Sequence, residues 1–114
     1  MPRYACRVDA NHSEIVDALR ATGWAVKDTS RVGEGFPDLV IEKNLLVLLA
    51  EVKVPEAAGK KGEYTKGQKK FYQEWRGPVF TLRSVDDVVE LNRRVNLIIS
   101  SIRGTLEKIS NARF

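Results

Sequence analysis

The sequence predicts an α/β domain with a mixed central sheet of about four strands flanked by helices, in the order α-β-β-β-α-β-α. Two observations lead there. Apolar residues recur at helical spacing in three places, around Ile15–Leu19, Phe71–Trp75 and Val88–Val95. Between them stand short continuous apolar runs, Leu39–Ile41 and Leu45–Ala50, of the kind that fills a buried strand. The 114 residues suit one domain, and no repeat, low-complexity tract or linker divides them.

The first helix is predicted to start at Asn11, an N-cap residue with Glu14 three positions on, as in a capping box. Ile15, Ala18 and Leu19 form its apolar face, and Gly23 ends it. Trp24–Asp28 alternates as a strand does, and 29–37 is a glycine-containing loop. The two apolar runs then pair as a hairpin with Lys43-Asn44 as its two-residue loop. Residues 54–64 (VPEAAGKKGEY) are polar and small, and read as a loop. Thr65 caps a second helix, with Gln68 at its third position and Phe71, Tyr72 and Trp75 on its apolar face. Gly77-Pro78 leads into a strand at Val79–Arg83, and Ser84 caps a third helix that has Asp86 and Asp87 in its first turn. His12, the lone histidine, is expected to face solvent, and Trp24 and Trp75 to lie in the core.

Composition narrows the function classes. Hydrophobic content of 43% and charged content of 30% describe a globular chain, and no apolar stretch reaches the roughly 18 residues of a membrane span. The N-terminal MPRYACRVDANHSE carries no apolar signal region, so a cytoplasmic location is expected. Cys6 is the sole cysteine, which excludes an internal disulfide and a cysteine-rich zinc site. The net charge of +4, with Lys60, Lys61, Lys66, Lys69, Lys70 and Arg76 clustered, suits a polyanionic partner.

Charged residues at the ends of the apolar hairpin carry the chemistry. With Lys43-Asn44 as the loop, Glu42 faces Leu45 and Asp38 faces Leu49. The side-chain period of two then puts Asp38, Leu49, Glu51 and Lys53 on one face, with Glu51 diagonal to Asp38 at about 7–8 Å between Cα atoms. Two carboxylates so placed repel unless a cation lies between them, and a divalent metal held by oxygens fits the gap. A desolvated lysine on the same face can orient water or steady charge on a phosphate. Metal, water and cation together are what phosphodiester hydrolysis requires.

This arrangement resembles the PD-(D/E)xK nuclease superfamily: Pro37-Asp38 matches the PD and Glu51-Val52-Lys53 the E-x-K. Within it the chain is most similar to stand-alone virus-type replication-repair nuclease (VRR-NUC) domains of phages and bacteria. They share G-x-PDL, E-V-K, a polar loop and a helix opening T-x-x-Q with aromatics after it. Archaeal Holliday junction resolvases are similar in layout. The resemblance covers roughly residues 10–85 and implies a restriction-endonuclease-like fold.

The resemblance also implies roles. Asp38 and Glu51 would bind Mg²⁺ or Mn²⁺ with the Val52 backbone carbonyl, and Glu14 would bind it directly or through water. Lys53 would serve the attacking water, and Gln68 would position Lys53 or the scissile phosphate. From the residues alone, the alternative for Glu14 and Gln68 is a capping-box role only, although each lies on or beside the apolar face of its helix. Arg31, Lys60, Lys61, Lys66, Lys69 and Lys70 would grip a DNA backbone, fixing position without reading sequence. The implied activity is a metal-dependent DNA endonuclease, structure-selective on branched DNA such as Holliday junctions. A restriction-like or transposon-end nuclease, and a non-catalytic nucleic-acid-binding module on the same fold, are the alternatives.

The C-terminal segment 85–110 adds an expectation of its own. Val88, Leu91, Val95, Ile98, Ile102 and Ile109 fall on a seven-residue pattern broken at Thr105. Val89, Leu97, Ile99 and Leu106 add apolar area that one small sheet does not cover. A homodimer built on this helix is expected, unless the helix breaks near Asn96 or Gly104 and folds back. The resembled nucleases are dimeric as a rule.

Overall fold

The computed structural model describes residues 11–54 and 64–112. Its elements are α1 (His12–Ala21), β1 (Ala25–Asp28), β2 (Leu39–Lys43), β3 (Leu46–Val52), α2 (Lys66–Glu74), β4 (Val79–Leu82) and α3 (Val85–Ala112). The expected order is present. The strands form one sheet in chain order, with β1–β2 and β2–β3 antiparallel and β3–β4 parallel. The parallel step follows from α2, since a crossover helix returns the chain in the direction of β3.

The period of two divides the sheet into two chemically distinct faces. Leu39, Ile41, Leu48, Ala50, Val52 and Leu82 point to one side and are buried against Ile15 and Leu19 of α1 and Val88, Leu91, Val95 and Ile99 of α3. The alternate residues, among them Glu51 and Lys53, point to the side that carries α2. The core is thus a sheet–helix sandwich on one face, and the other mixes Val40, Leu49 and Val79 with the charged residues Asp38, Glu51 and Lys53.

The hairpin turn corrects the sequence reading. Lys43 pairs with Leu46, so the loop is Asn44-Leu45 and not Lys43-Asn44. Both loop residues have positive φ, 51° and 75°, the signature of a type I′ turn that suits the twist of the strands. Leucine is a poor residue there, and sequence preference alone does not select it. The Leu45 amide donates to the Glu42 carboxylate at 2.9 Å, which helps hold the turn. The register moves by two residues, so every side chain keeps its face. Leu45→Gly is expected to raise stability by about 0.5–1 kcal/mol, a few degrees in Tm, by relieving the left-handed backbone. A lowered melting temperature would contradict that assignment of strain.

Long-range contacts, not caps, set the start of α1. The Asn11 side chain makes no cap hydrogen bond. Its amide donates to the backbone carbonyls of Lys53 at 3.0 Å and Arg83 at 2.6 Å. Asn11 therefore fastens the N-terminal end of α1 to the ends of β3 and β4. His12 corrects another expectation: it is buried, with Nε2 3.1 Å from Asp28 Oδ2. Hydrogen bonds from Ser30 and the nearby His12 hold the Asp28 carboxyl below its usual range. Trp24 is in the core and donates to Asn92 at 2.7 Å, whereas Trp75 is 44% exposed.

α3 is continuous through Asn96 and Gly104, which removes the fold-back alternative. Its buried stripe is Val88, Leu91, Val95 and Ile99, so three residues expected in a seam between two chains, and Ile99, expected to be left uncovered, pack instead into this chain's own core. Ile98, Leu97, Val89 and Ile109 are exposed. Among the described residues no helix is long and apolar enough to cross a membrane.

Candidate functional site

The loop before β2 is built to present Asp38. The Thr29 amide donates to the Asp38 carbonyl, and the Thr29 hydroxyl to the Pro37 carbonyl, each at 2.7 Å. Pro37 is fully buried. Gly33, Glu34 and Gly35 all have positive φ, at 86°, 58° and 76°. At Gly35 a Cβ would fall 2.1 Å from the Gly67 carbonyl oxygen, so only glycine lets this loop lie directly on the start of α2. The glycines of the G-x-G-F-P-D stretch thereby couple the aspartate's loop to the helix that carries Gln68.

Leu39 pairs with Ala50, and one step further along the ladder Asp38 stands opposite Glu51. They are direct neighbours rather than the diagonal pair expected from a turn at Lys43-Asn44. Each carboxylate is held by the other strand's backbone. Asp38 Oδ2 accepts from the Val52 amide at 2.9 Å, and Glu51 Oε1 accepts from the Asp38 amide at 3.2 Å. A strand residue directs its N–H and C=O to the same neighbour, so the Val52 carbonyl also points toward Asp38. Glu51 is 1% exposed and Lys53 5% exposed, an unusual depth for either residue type.

Gln68 links these groups. Its carbonyl oxygen accepts from Lys53 Nζ at 2.6 Å, and its amide nitrogen donates to Glu51 Oε2. The same residue completes the capping box: its side chain accepts from the Thr65 amide at 2.9 Å, and its own amide donates to the Thr65 hydroxyl at 3.2 Å. One side chain thus makes both the cap bonds and the bonds to Lys53 and Glu51, and α2 cannot rotate without disturbing the Glu51–Lys53 pair. Lys53 Nζ lies 3.9 Å from Glu51 Oε2 and 5.3 Å from the centre of the Tyr64 ring.

Three further residues belong to the site that pattern reading did not single out. Thr81 pairs with Glu51 across the parallel ladder, and its hydroxyl meets the Tyr64 hydroxyl. The rings of Tyr64 and Tyr72 meet edge to face at 5.1 Å. Burial, and then the negative charge of Glu51, with Tyr64 and Asp38 adding to it, keep the Tyr72 hydroxyl protonated far above the ordinary tyrosine range. A phenol that stays neutral beside two carboxylates can donate a hydrogen bond there. Its position four residues after Gln68 on α2 is the one signal in the sequence that could have found it.

Other expected members stand elsewhere. Glu14 is exposed in the first turn of α1, and the structure does not bring it to Asp38 and Glu51. Among the described residues no three His, Cys, Asp or Glu side chains gather into a metal-holding group. Lys66, Lys69 and Lys70 are exposed on α2, and Arg31 is exposed on the loop before Asp38. Lys60 and Lys61 lie outside the described residues.

The donor set present is two carboxylates from adjacent strands and a backbone carbonyl directed to the same place. That set fits Mg²⁺ or Mn²⁺. Mg²⁺ usually binds through one or two carboxylates and completes its shell with water and substrate phosphate oxygens. No family model, curated protein or solved structure matches the chain.

Proposed function

We propose that the protein is a metal-dependent DNA endonuclease that hydrolyses phosphodiester bonds. One observation carries the reading: Asp38 and Glu51 face each other across adjacent strands, with buried Lys53 on the same face and Gln68 tying Lys53 to Glu51. Burying Glu51 and Lys53 together beside the half-buried Asp38 costs stability, a cost that is typically met at functional sites. Asp38, Glu51 and the Val52 carbonyl would hold Mg²⁺ or Mn²⁺. Bound there, the ion supplies Lewis-acid activation of water and charge neutralisation at the phosphate. Lys53 orients the attacking water or meets the negative charge that develops on the phosphate oxygens. Gln68 keeps the Lys53 ammonium aimed by accepting a hydrogen bond from it. Branched DNA, four-way junctions included, is the substrate class that the resemblance implies. Incubation with labelled single strand, duplex, flap and four-way junction, with and without Mn²⁺, tests the reading. Absence of metal-dependent cleavage on all four would overturn it.

Lys66, Lys69 and Lys70 project from the helix that holds Gln68, where a strand entering the site would pass. Replacing all three with glutamine is expected to lower the slope of log affinity against log salt by roughly 2–3, about 0.7–0.9 per lost phosphate contact. An unchanged slope would show that these lysines only solvate the helix.

A homodimer through the C-terminal half of α3 is part of the proposal. At about 1.5 Å per residue this helix spans some 40 Å, and its last core residue is Ile99. Leu97, Ile98 and Ile109 are 64%, 49% and 60% exposed, a larger apolar face than one sheet can cover. Light scattering should give the dimer mass. Leu97→Glu with Ile98→Glu should give a folded monomer, and a dimer that survives both changes would place the interface elsewhere.

A further inference from the structure

A cavity of about 550 Å³ lies between the loop before Asp38 and α2, lined by Val32, Gly33, Glu34, Phe36, Gly67, Lys70, Phe71 and Glu74. Its volume is within the roughly 300–1,000 Å³ usual for small-molecule sites. Both of its walls continue into the Asp38–Glu51 site: Phe36 is two residues before Asp38, and Gly67 is next to Gln68. Phe36 and Phe71 meet edge to face at 5.6 Å, and Phe71 stacks on the exposed Trp75 at 5.4 Å and 19°. The loop wall lies directly on α2, with Gly35 against the Gly67 carbonyl, and Glu34 stands at φ 58° between two glycines of positive φ. A non-glycine residue held in that conformation is a recurrent mark of functional sites.

The charges at the rim decide what enters. Glu34 and Glu74 against Lys70 leave the lining net negative, which rejects a phosphate. Lys66 and Lys69 lie outside it on the same helix, where they suit the backbone. Apolar and aromatic walls, carboxylates that accept from exocyclic amines, and cations just outside match a nucleobase whose phosphates remain on the surface. We infer that this cavity receives an unpaired nucleobase of the DNA strand being cut. The inference rests on the nuclease reading and narrows its substrate: the scissile phosphate lies beside an unstacked nucleotide, as in a flap, a single strand or an opened branch point, and not within continuous duplex.

The test compares binding of a short single strand with that of an abasic sugar–phosphate strand of equal length and charge. It is done in EDTA, so that cleavage plays no part. The base-bearing strand should bind about five- to 150-fold more tightly, the range for one stacked base. Phe71→Leu should remove most of that preference and leave the salt slope unchanged. Val32→Trp, which fills the cavity from an exposed position, should do the same without altering the Phe71 packing. Equal affinity for the two strands in the wild-type protein would overturn the inference, as would a full preference in Val32→Trp. The two readings fail separately: a base preference without Mn²⁺-dependent cleavage defeats the nuclease, and cleavage without base preference defeats the cavity.

Discussion

Asp38→Asn is expected to abolish Mn²⁺-dependent cleavage, by about a thousandfold or more, while DNA binding in EDTA changes by less than about twofold. The substitution is nearly isosteric, and the remaining side-chain oxygen can still accept from the Val52 amide that now bonds Oδ2 at 2.9 Å. What is lost is the charge. A cation's contribution to such a transition state is several kcal/mol, and about 4 kcal/mol is roughly a thousandfold in rate. Glu51→Gln should be as inactive but less clean. Glu51 accepts from the Asp38 amide on one oxygen and from Gln68 on the other. A glutamine there must turn an NH₂ toward one of those donors, at a cost of about 1–3 kcal/mol in stability. Asp38→Asn is therefore the variant that separates chemistry from folding. Substantial cleavage by folded Asp38→Asn would remove Asp38 from the site.

Lys53→Met is expected to be inactive and also less stable, by about 3 kcal/mol. Removing one partner of a buried ion pair typically costs about 3–5 kcal/mol, because the other charge stays buried. The lower end applies here, since Lys53 and Glu51 are 3.9 Å apart and Gln68 donates to the Glu51 carboxylate as well. A cation bound at Asp38 and Glu51 would offset the missing ammonium. Mn²⁺ should therefore raise the melting temperature of Lys53→Met by more than it raises that of the wild type. Cleavage should remain absent even with the metal bound, because the group that serves water and phosphate is gone. Activity restored by Mn²⁺ would show that Lys53 only balances charge. Unchanged stability in the metal-free variant would show that the pair contributes nothing to the fold.

At Gln68 the capping bonds and the bonds to the buried Lys53–Glu51 pair are made by the same side chain. Gln68 reaches back to Thr65, as a capping-box residue does, and from that position holds Lys53 and Glu51. Reading it as either one or the other set up a choice that the geometry does not require. Asn11 shows the reverse. It has the sequence of a cap, yet its side chain is used 42 and 72 residues away.

The sequence by itself determined the order of elements, because alternation and helical spacing are local properties of the chain. It also determined that Asp38, Glu51 and Lys53 share one face, because that conclusion needs only the parity of the hairpin and survives a two-residue slip in register. The register itself was beyond it: Asn44 and Leu45 are both held at positive φ by a strand pairing that outweighs the reluctance of leucine to adopt it. The burial of His12 depends on Asp28 in a different element, and the exposure of Trp75 on how little of α2 the sheet covers. Tyr64, Tyr72 and Thr81 come to the carboxylates from a loop end, a helix and the last strand, and only the step of four from Gln68 to Tyr72 announces any of them. Tertiary structure alone decided these, because each depends on contacts between residues far apart in the chain, whose free energy exceeds the local preferences that a sequence pattern records.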